Sequence, residues 1–397
     1  MIIPVIAAVG AQIEQAWSAK DYDAGAFPEI CVRALDGASL SQHLSPGDIL
    51  AWALQGDLPR QADPGARFGQ PPITLFRGRR FYIAALFWVD GTTSIHDHGF
   101  SGAFQVLSGS SIQTTFSFET TRNVGDQLRF GALAVTDSSL LRQGEIRPIT
   151  AGPSFIHSLF HLPRPTVSLV VRSYFDVSPG IQLNYKPPGI AHNNFFVDET
   201  LDRLLQIVNL LRSSDDPTFE DRTVKLIASA DLHTAFSIIR SCADLPDRSL
   251  LGRLLDGVRD KEARTLFTDW TIAAERVRFL QSRRAMVHDP ELRFVLAVLL
   301  NVHRRADALA LVAAHSPRLA PAQRLASWLR QLSAVTSRLQ LASGSWEPNL
   351  FGLPPITPRL EEVLAAELAD QRDLRTDEEA AFLSKLRALP ALLPLFR

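Results

Sequence analysis

The 397-residue chain is 46% hydrophobic and 21% charged, the balance of a soluble globular protein longer than one ordinary core supports. Its 41 basic and 42 acidic residues leave a formal net charge of −1, so no nucleic-acid or anionic-membrane partner is expected. Two cysteines, Cys31 and Cys242, lie far apart and read as reduced thiols, which points to the cytoplasm; a single long-range disulfide is the alternative.

The opening stretch MIIPVIAAVGAQIEQAW has no Lys or Arg ahead of its apolar run and is broken at Pro4. It is expected to begin a packed helix and not a secretory leader. No membrane span is expected either, because no stretch approaches about 18 uninterrupted apolar residues. Residues 1 to about 60 carry helical patterns broken at LSPGD and LPRQADPGARFGQPP, and residues 1–70 are expected to pack as a helical part on the strand-rich region after them. From Ile73 to about Phe175 the pattern turns strand-like and turn-rich. FYIAALFWV is a continuous apolar run that suits a strand buried on both faces, with the tight turn VDGTT after it. In SIQTTFSFE, Ile112, Thr114, Phe116 and Phe118 alternate with Ser111, Gln113, Thr115 and Ser117, the period of a strand with one buried face. Short strands at this spacing predict a β-sandwich or barrel over residues 71–190.

After YKPPGIAHNN the texture becomes helical, and residues 191–397 are expected to form an all-α domain of short helices without a fixed repeat. Overall the chain reads as α+β and multidomain. His192 reads as an exposed linker histidine, and ERVRFLQSRR and VHRR as solvated faces. His288 and Asp289 precede Pro290, a cap or turn into the next helix. No phosphate-binding loop, dinucleotide fingerprint or Gly-x-Ser-x-Gly elbow is present.

The chemistry concentrates in SIHDHGFSGAFQVLSGS. On a strand, His96 and His98 project from one face while Asp97 points away. Gly99, Gly102 and Gly109 would let the backbone pack closely around a barrel mouth. His157 and His161 come after another Gly/Pro turn and share a face at i and i+4 on an extended segment. Three neutral imidazoles with open positions suit Fe(II), and equally zinc, copper, nickel or manganese. The competing reading makes these histidines turn and edge residues that hold backbone groups.

The stretches GTTSIHDHGFSGAFQVLSG and GEIRPITAGPSFIHSLFH resemble the two motifs of the cupin superfamily. Within it, FYIAALFWVDGTTSIHDH is most similar to cysteine dioxygenase and its thiol dioxygenase relatives. The resemblance spans about residues 70–176 and implies a cupin-type β-barrel, the double-stranded β-helix. It implies His96 and His98 as the first two metal ligands and His157 as the third, with His161 where the motif carries asparagine. At the usual glutamate position stand Gly102 and Ala103, with Gln105 the nearest polar candidate, so a three-histidine site is implied. No cysteine is there for a thioether crosslink. The family's Ser-x-His-x-Tyr relay is altered: Ser168 is kept, Val170 and Arg172 replace the other two, and Tyr174 is the substitute candidate. Among Arg77, Arg79 and Arg80, Arg77 best matches the family's carboxylate-binding arginine, with Arg80 beside it; a solvated basic turn is the alternative.

The resemblance and these residues together imply an Fe(II) dioxygenase that uses molecular oxygen on a small anionic chelating substrate, a thiol or related compound, diverged from cysteine dioxygenase. Arg172, inward by parity with Ser168 and Val170, suggests a larger or more acidic substrate than cysteine. His161 could be a supporting donor, a general base or an alternative third ligand. Two other readings stand beside this one. A cupin that binds metal or ligand without turnover would act as sensor or scaffold, meeting a protein partner through the helical domain. A cupin isomerase or hydrolase would use another metal.

Overall fold

The computed structural model describes residues 2–56, 58–62, 68–89, 91–174, 180–245, 247–335, 351–371 and 376–396. The expected turn VDGTT includes residue 90, the LPRQADPGARFGQPP break residues 63–67, and the strand-like region residue 175; these lie outside the described residues.

Among the described residues, four helices come first, α1 (Ile2–Ser18), α2 (Phe27–Ala38), α3 (Leu40–His43) and α4 (Pro46–Ala53). Among the described residues, twelve strands come next: β1 (Pro72–Arg77), β2 (Phe81–Trp88), β3 (Gly91–Thr92), β4 (Ile95–His98), β5 (Gly102–Ser108), β6 (Ser110–Gly125), β7 (Leu128–Arg142), β8 (Ile146–Ile149), β9 (Gly152–His161), β10 (Thr166–Ser173), β11 (Asn184–Lys186) and β12 (Ile190–His192). They form a five-stranded sheet ordered β1-β2-β10-β5-β8 and a seven-stranded sheet ordered β3-β9-β4-β11-β12-β7-β6. β9 also pairs with β6, so the second sheet curls back on itself. The two sheets make a β-barrel, with helices before and after it as expected.

β2 is buried on both faces because each face meets a different layer. Phe81, Ile83, Ala85 and Phe87 pack outward with Ile6, Ile13, Phe27 and Leu35 of the N-terminal helices. Tyr82, Ala84 and Leu86 turn into the barrel beside Phe104, Val106 and Val170. Gly102 is required by a close approach: a Cβ there would lie 2.0 Å from the Val171 carbonyl oxygen. Gly109 meets β10 in the same way, at Thr166.

Among the described residues after β12 the helices are α5 (Glu199–Ser213), α6 (Phe219–Ser229), α7 (Leu232–Cys242), α8 (Arg248–Asp256), α9 (Lys261–Met286), α10 (Pro290–Asn301), α11 (Arg305–His315), α12 (Pro321–Ser333), α13 (Pro358–Leu368) and α14 (Asp377–Arg387). An aspartate side chain accepts a backbone N–H at the start of α5, α7, α8, α9 and α10, from Asp198, Asp231, Asp247, Asp260 and Asp289. Among the described residues, none of these helices is long and apolar enough to cross a membrane. Cys31 and Cys242 are both buried free thiols.

The helical region is seated on the barrel. Ile112 of β6 and Phe160 of β9 turn outward into the core of α10, α12 and α13. Leu128, Phe130 and Ile190 join a second core with Phe236, Leu254 and Phe267. The 26-residue α9 contributes to both cores, through Phe267 in one and Leu280 in the other.

Two expectations change here. The arginines of ERVRFLQSRR are not a solvated face, for they donate to backbone carbonyls of neighbouring helical segments. Arg276 reaches Pro390 and Leu299, Arg278 reaches Ala243 at 2.7 Å, and buried Arg284 reaches Arg293 at 3.1 Å. His192 is not an exposed linker residue. It is 2% exposed on β12, between β11 and β7, with its ring edge-on to Phe236.

Burial pushes the His192 imidazole down to about 2, with the nearby Lys186 and Arg240 charges adding to the effect. Its folded-state value lies below the unfolded one, so its stabilising contribution is complete above about pH 6.5 and falls away as the solution is acidified. Between about pH 6 and 4, His192 should account for about 1.4 kcal/mol of lost stability per pH unit. Urea unfolding across that range checks this: His192→Leu should flatten the decline by that slope, and an unchanged slope would contradict it.

Candidate metal centre

Register builds the site. His96 on β4 pairs directly with His157 on β9, and a bulge comes next, so that His98 meets Gly152. The strand period of two then puts His98 on the same face as His96. The ring centroids form a nearly equilateral triangle: 4.7 Å for His96–His98, 5.0 Å for His96–His157 and 4.9 Å for His98–His157. One ring nitrogen from each lies within 4.8 Å of the others. His96 Nδ1 is 2.7 Å from the Ser94 carbonyl oxygen, so it serves as the N–H donor and leaves Nε2 with its lone pair. His157 Nδ1 lies 3.4 Å from Gln113 Nε2.

Burial holds all three imidazoles below the ordinary histidine range, His98 and His157 well below it. For His98 the charges of the other two histidines and Arg172 add to burial; for His157 those of His96 and His161 do. Neutral imidazoles have lone pairs to give, and three buried nitrogen donors without a carboxylate among them fit a divalent transition metal. A metal held there would keep its full charge and leave positions open toward the barrel interior.

That interior is a cavity of about 1020 Å³. The three histidines line it together with Ser168, Val170 and Arg172, the inward row of β10. The Arg172 guanidinium lies over Phe100 at 3.7 Å and near Tyr82 at 5.4 Å. Trp88 and Phe68 line the other end, and Asn184 and Gln182 come from the chain beside β4.

Other expected site residues lie elsewhere. Gln105 shares parity with Ala103 and Leu107, which face the N-terminal helices, and its amide donates to Gly144 at 3.2 Å; it does not line the cavity. Arg80 is exposed and stacks on Tyr22 of the N-terminal region at 4.0 Å. Arg77 is exposed at the last position of β1, where it pairs with Tyr82 and donates to the Tyr174 hydroxyl at 3.3 Å. Tyr174 lies beyond the end of β10, and its hydroxyl donates to Gly78 at 3.4 Å. Neither borders the cavity. His161 is wholly buried and outside the cavity lining. Its ring stacks on Trp88 at 4.4 Å, Nδ1 meets Ser111 Oγ at 2.9 Å, and burial lowers it to about 3. It supports Trp88 and does not join the cluster.

Asp97, between the two histidines of β4, points through the sheet as parity requires. Its carboxylate accepts the Leu183 N–H at 2.6 Å and the Tyr185 hydroxyl at 2.9 Å, fastening β4 to β11. Burial raises its pKa, and those two hydrogen bonds oppose the rise. Tyr185, Trp88 and Tyr82 sit in no local motif; only strand pairing brings them to the site.

No family model matches the chain, and no curated protein matches it in sequence. Among solved structures, a cupin-2 domain protein from Shewanella frigidimarina is 12% identical, covering 33% of this chain and 94% of its own, with a TM-score of 0.19. A hydroquinone 1,2-dioxygenase from Sphingomonas is 11% identical over 28% of this chain and 68% of its own, with a TM-score of 0.21. A recombinant oxalate oxidase is 17% identical over 40% and 77%, with a TM-score of 0.23. At these values the likenesses carry no weight for activity, and the site rests on its own geometry.

Since desolvation outweighs the bonds made by Asp97, a neutral asparagine should serve as well, its amide oxygen accepting the Leu183 N–H and its NH2 donating to the Tyr185 oxygen, which turns from donor to acceptor. Asp97→Asn should stay within about 1 kcal/mol of the parent, while Asp97→Ala should cost about 1–3 kcal/mol for each stranded donor. Urea unfolding of both variants decides; equal loss in the two would contradict this assignment.

Proposed function

We propose that the protein is a non-haem, Fe(II)-dependent dioxygenase of the cupin type, diverged from the thiol dioxygenases. The observation that carries this reading is the buried, neutral triangle of His96, His98 and His157 opening onto a cavity with Arg172 on its opposite wall. His96, His98 and His157 would hold the Fe(II), which would supply the Lewis acidity to bind an anionic chelating substrate and the electrons to activate dioxygen.

The chain's own residues do the rest. Ser94, through its carbonyl, keeps His96 in the tautomer that directs Nε2 inward. Asp97 locks the strand between the two ligands so that the imidazoles are already in place. Phe100, Phe104, Leu159 and Val170 exclude bulk water, which strengthens every charge interaction inside. Arg172 attracts and orients an anionic substrate toward the histidines. The hydroxyl of Ser168 borders the same space, while the histidine and tyrosine of the thiol dioxygenase relay are absent from β10. Turnover of cysteine itself is therefore not expected.

A second reading keeps the metal or ligand and drops turnover. Ile112 and Phe160, on the strands behind and within the site, are buried against the helical region. Occupancy of the site would thus be felt by the helices, as a sensor requires.

After Fe(II) reconstitution, the purified protein should hold about one iron per chain, and His96→Ala/His98→Ala should hold about a tenth of that or less. Elemental analysis measures the first quantity, and an oxygen electrode reads substrate-stimulated uptake. Iron retained by the double variant would overturn the ligand assignment. Iron binding without oxygen uptake would leave the sensor reading in its place.

A further inference from the structure

The three imidazoles are held by different neighbours. His96 gives its Nδ1–H to the Ser94 carbonyl, and His98 lies against the rings of Phe100 and Phe155, with centroids 4.9 and 5.6 Å away. His157 on β9 depends on β6. Register sets Ser111 opposite His161, Gln113 opposite Leu159 and Thr115 opposite His157. Thr115, the direct neighbour, turns its hydroxyl to Thr136 at 2.8 Å. The side chain that reaches His157 is Gln113, one diagonal away, with its amide nitrogen 3.4 Å from Nδ1. Diagonal neighbours across antiparallel strands lie about 7–8 Å apart, a gap that a long side chain spans and a short one does not. Both residues are only 3% exposed, so bulk solvent does not compete for this contact.

That contact decides whether His157 can serve as a ligand. With Nδ1 facing Gln113, Nε2 is the nitrogen left for the cluster. A neutral imidazole has one N–H and one lone pair. If the amide NH2 donates to Nδ1, the proton sits on Nε2 and the lone pair that a metal needs is spent on the glutamine. If the amide is turned over, Oε1 accepts the Nδ1–H and the Nε2 lone pair is free. The amide presents either atom at the same place by turning about its last bond, so its length and burial suit both roles and the imidazole's task chooses between them.

We propose that Gln113 is a positioning residue of the metal centre: its amide oxygen accepts the Nδ1–H of His157 and so presents the Nε2 lone pair to the cluster. This rests on the reading of His96, His98 and His157 as ligands. Ser94 does the same for His96 through a backbone carbonyl, so both supporting acceptors are uncharged. An amide achieves this without burying a carboxylate, which is costly in so enclosed a place.

Nitrogen-15 imidazole spectra of the metal-free protein at about pH 8, where a histidine is neutral, test it; the His157 signal is the one missing from His157→Gln. His157 should be the Nδ1–H tautomer in the unaltered protein and the Nε2–H tautomer in Gln113→Met, a variant of similar length without the amide. Binding of Co(II), read by competition with a chelator, should be about 10–100-fold weaker in Gln113→Met. Gln113→Glu, whose carboxylate can accept the same N–H, should recover most of that loss, which a purely structural role would not predict. An Nε2–H tautomer in the unaltered protein, or equal Co(II) affinity in Gln113→Met, would overturn the proposal. Should Gln113→Met not fold, the tautomer in the unaltered protein decides alone. That tautomer is read with no metal present, whereas failure of the unaltered protein to bind Co(II) would remove the ligand reading beneath the proposal, so the two failures are told apart.

Discussion

The pairing of β4 with β9 is the constraint on which the rest depends. It sets His96 opposite His157, and the two-residue period adds His98 to the same face. The same period sends Asp97 through the sheet, where Leu183 and Tyr185 hold it. A one-residue slip would put Asp97 into the cavity and turn the histidines away from it. One short strand therefore carries ligands on one face and their fastening on the other. Burial of this pair keeps the imidazoles neutral, which makes them donors and not a cluster of repelling cations.

Around that pair, the barrel acts as a frame compressed from both sides. N-terminal helices cover the outer face of the five-stranded sheet, and α10, α12 and α13 cover Ile112 and Phe160 behind the site. Burying such a side chain stabilises by about 1.5–3 kcal/mol. The back of the ligand-bearing sheet is thus held by the helical region and not by solvent. The arginines of α9 add to this by donating to backbone carbonyls of neighbouring helical segments. Opposite the histidines, the five-stranded sheet supplies Arg172 and, along Ala84, Val170 and Phe104, an apolar stretch of wall.

Much of this was legible from local pattern. The continuous apolar run of β2 predicted burial on both faces, and parity along β10 placed Ser168, Val170 and Arg172 inward together. His-x-His needed no tertiary information to share a face. Longer reach was illegible for physical reasons. Gln105 lies on the outer face, a matter of parity relative to a sheet whose neighbours sequence does not name. Arg77 stands at the last position of β1 and Tyr174 beyond the end of β10, where alternation stops placing a side chain against the cavity. His161 shares parity with His157 yet is taken up by Trp88 and Ser111, partners fixed by strand pairing. His192 looked like a linker because β11 and β12 are only three residues each.

The central claim is that three imidazoles on one barrel face hold a divalent metal, leaving the other positions open toward the cavity. Crystals of iron-reconstituted protein, measured at the iron absorption edge, test it most directly. One anomalous peak is predicted within coordination distance, about 2.0–2.2 Å, of ring nitrogens from His96, His98 and His157, with His161 still stacked on Trp88. A peak bound by His161 in place of one of the three, or iron lying outside the barrel, would contradict it.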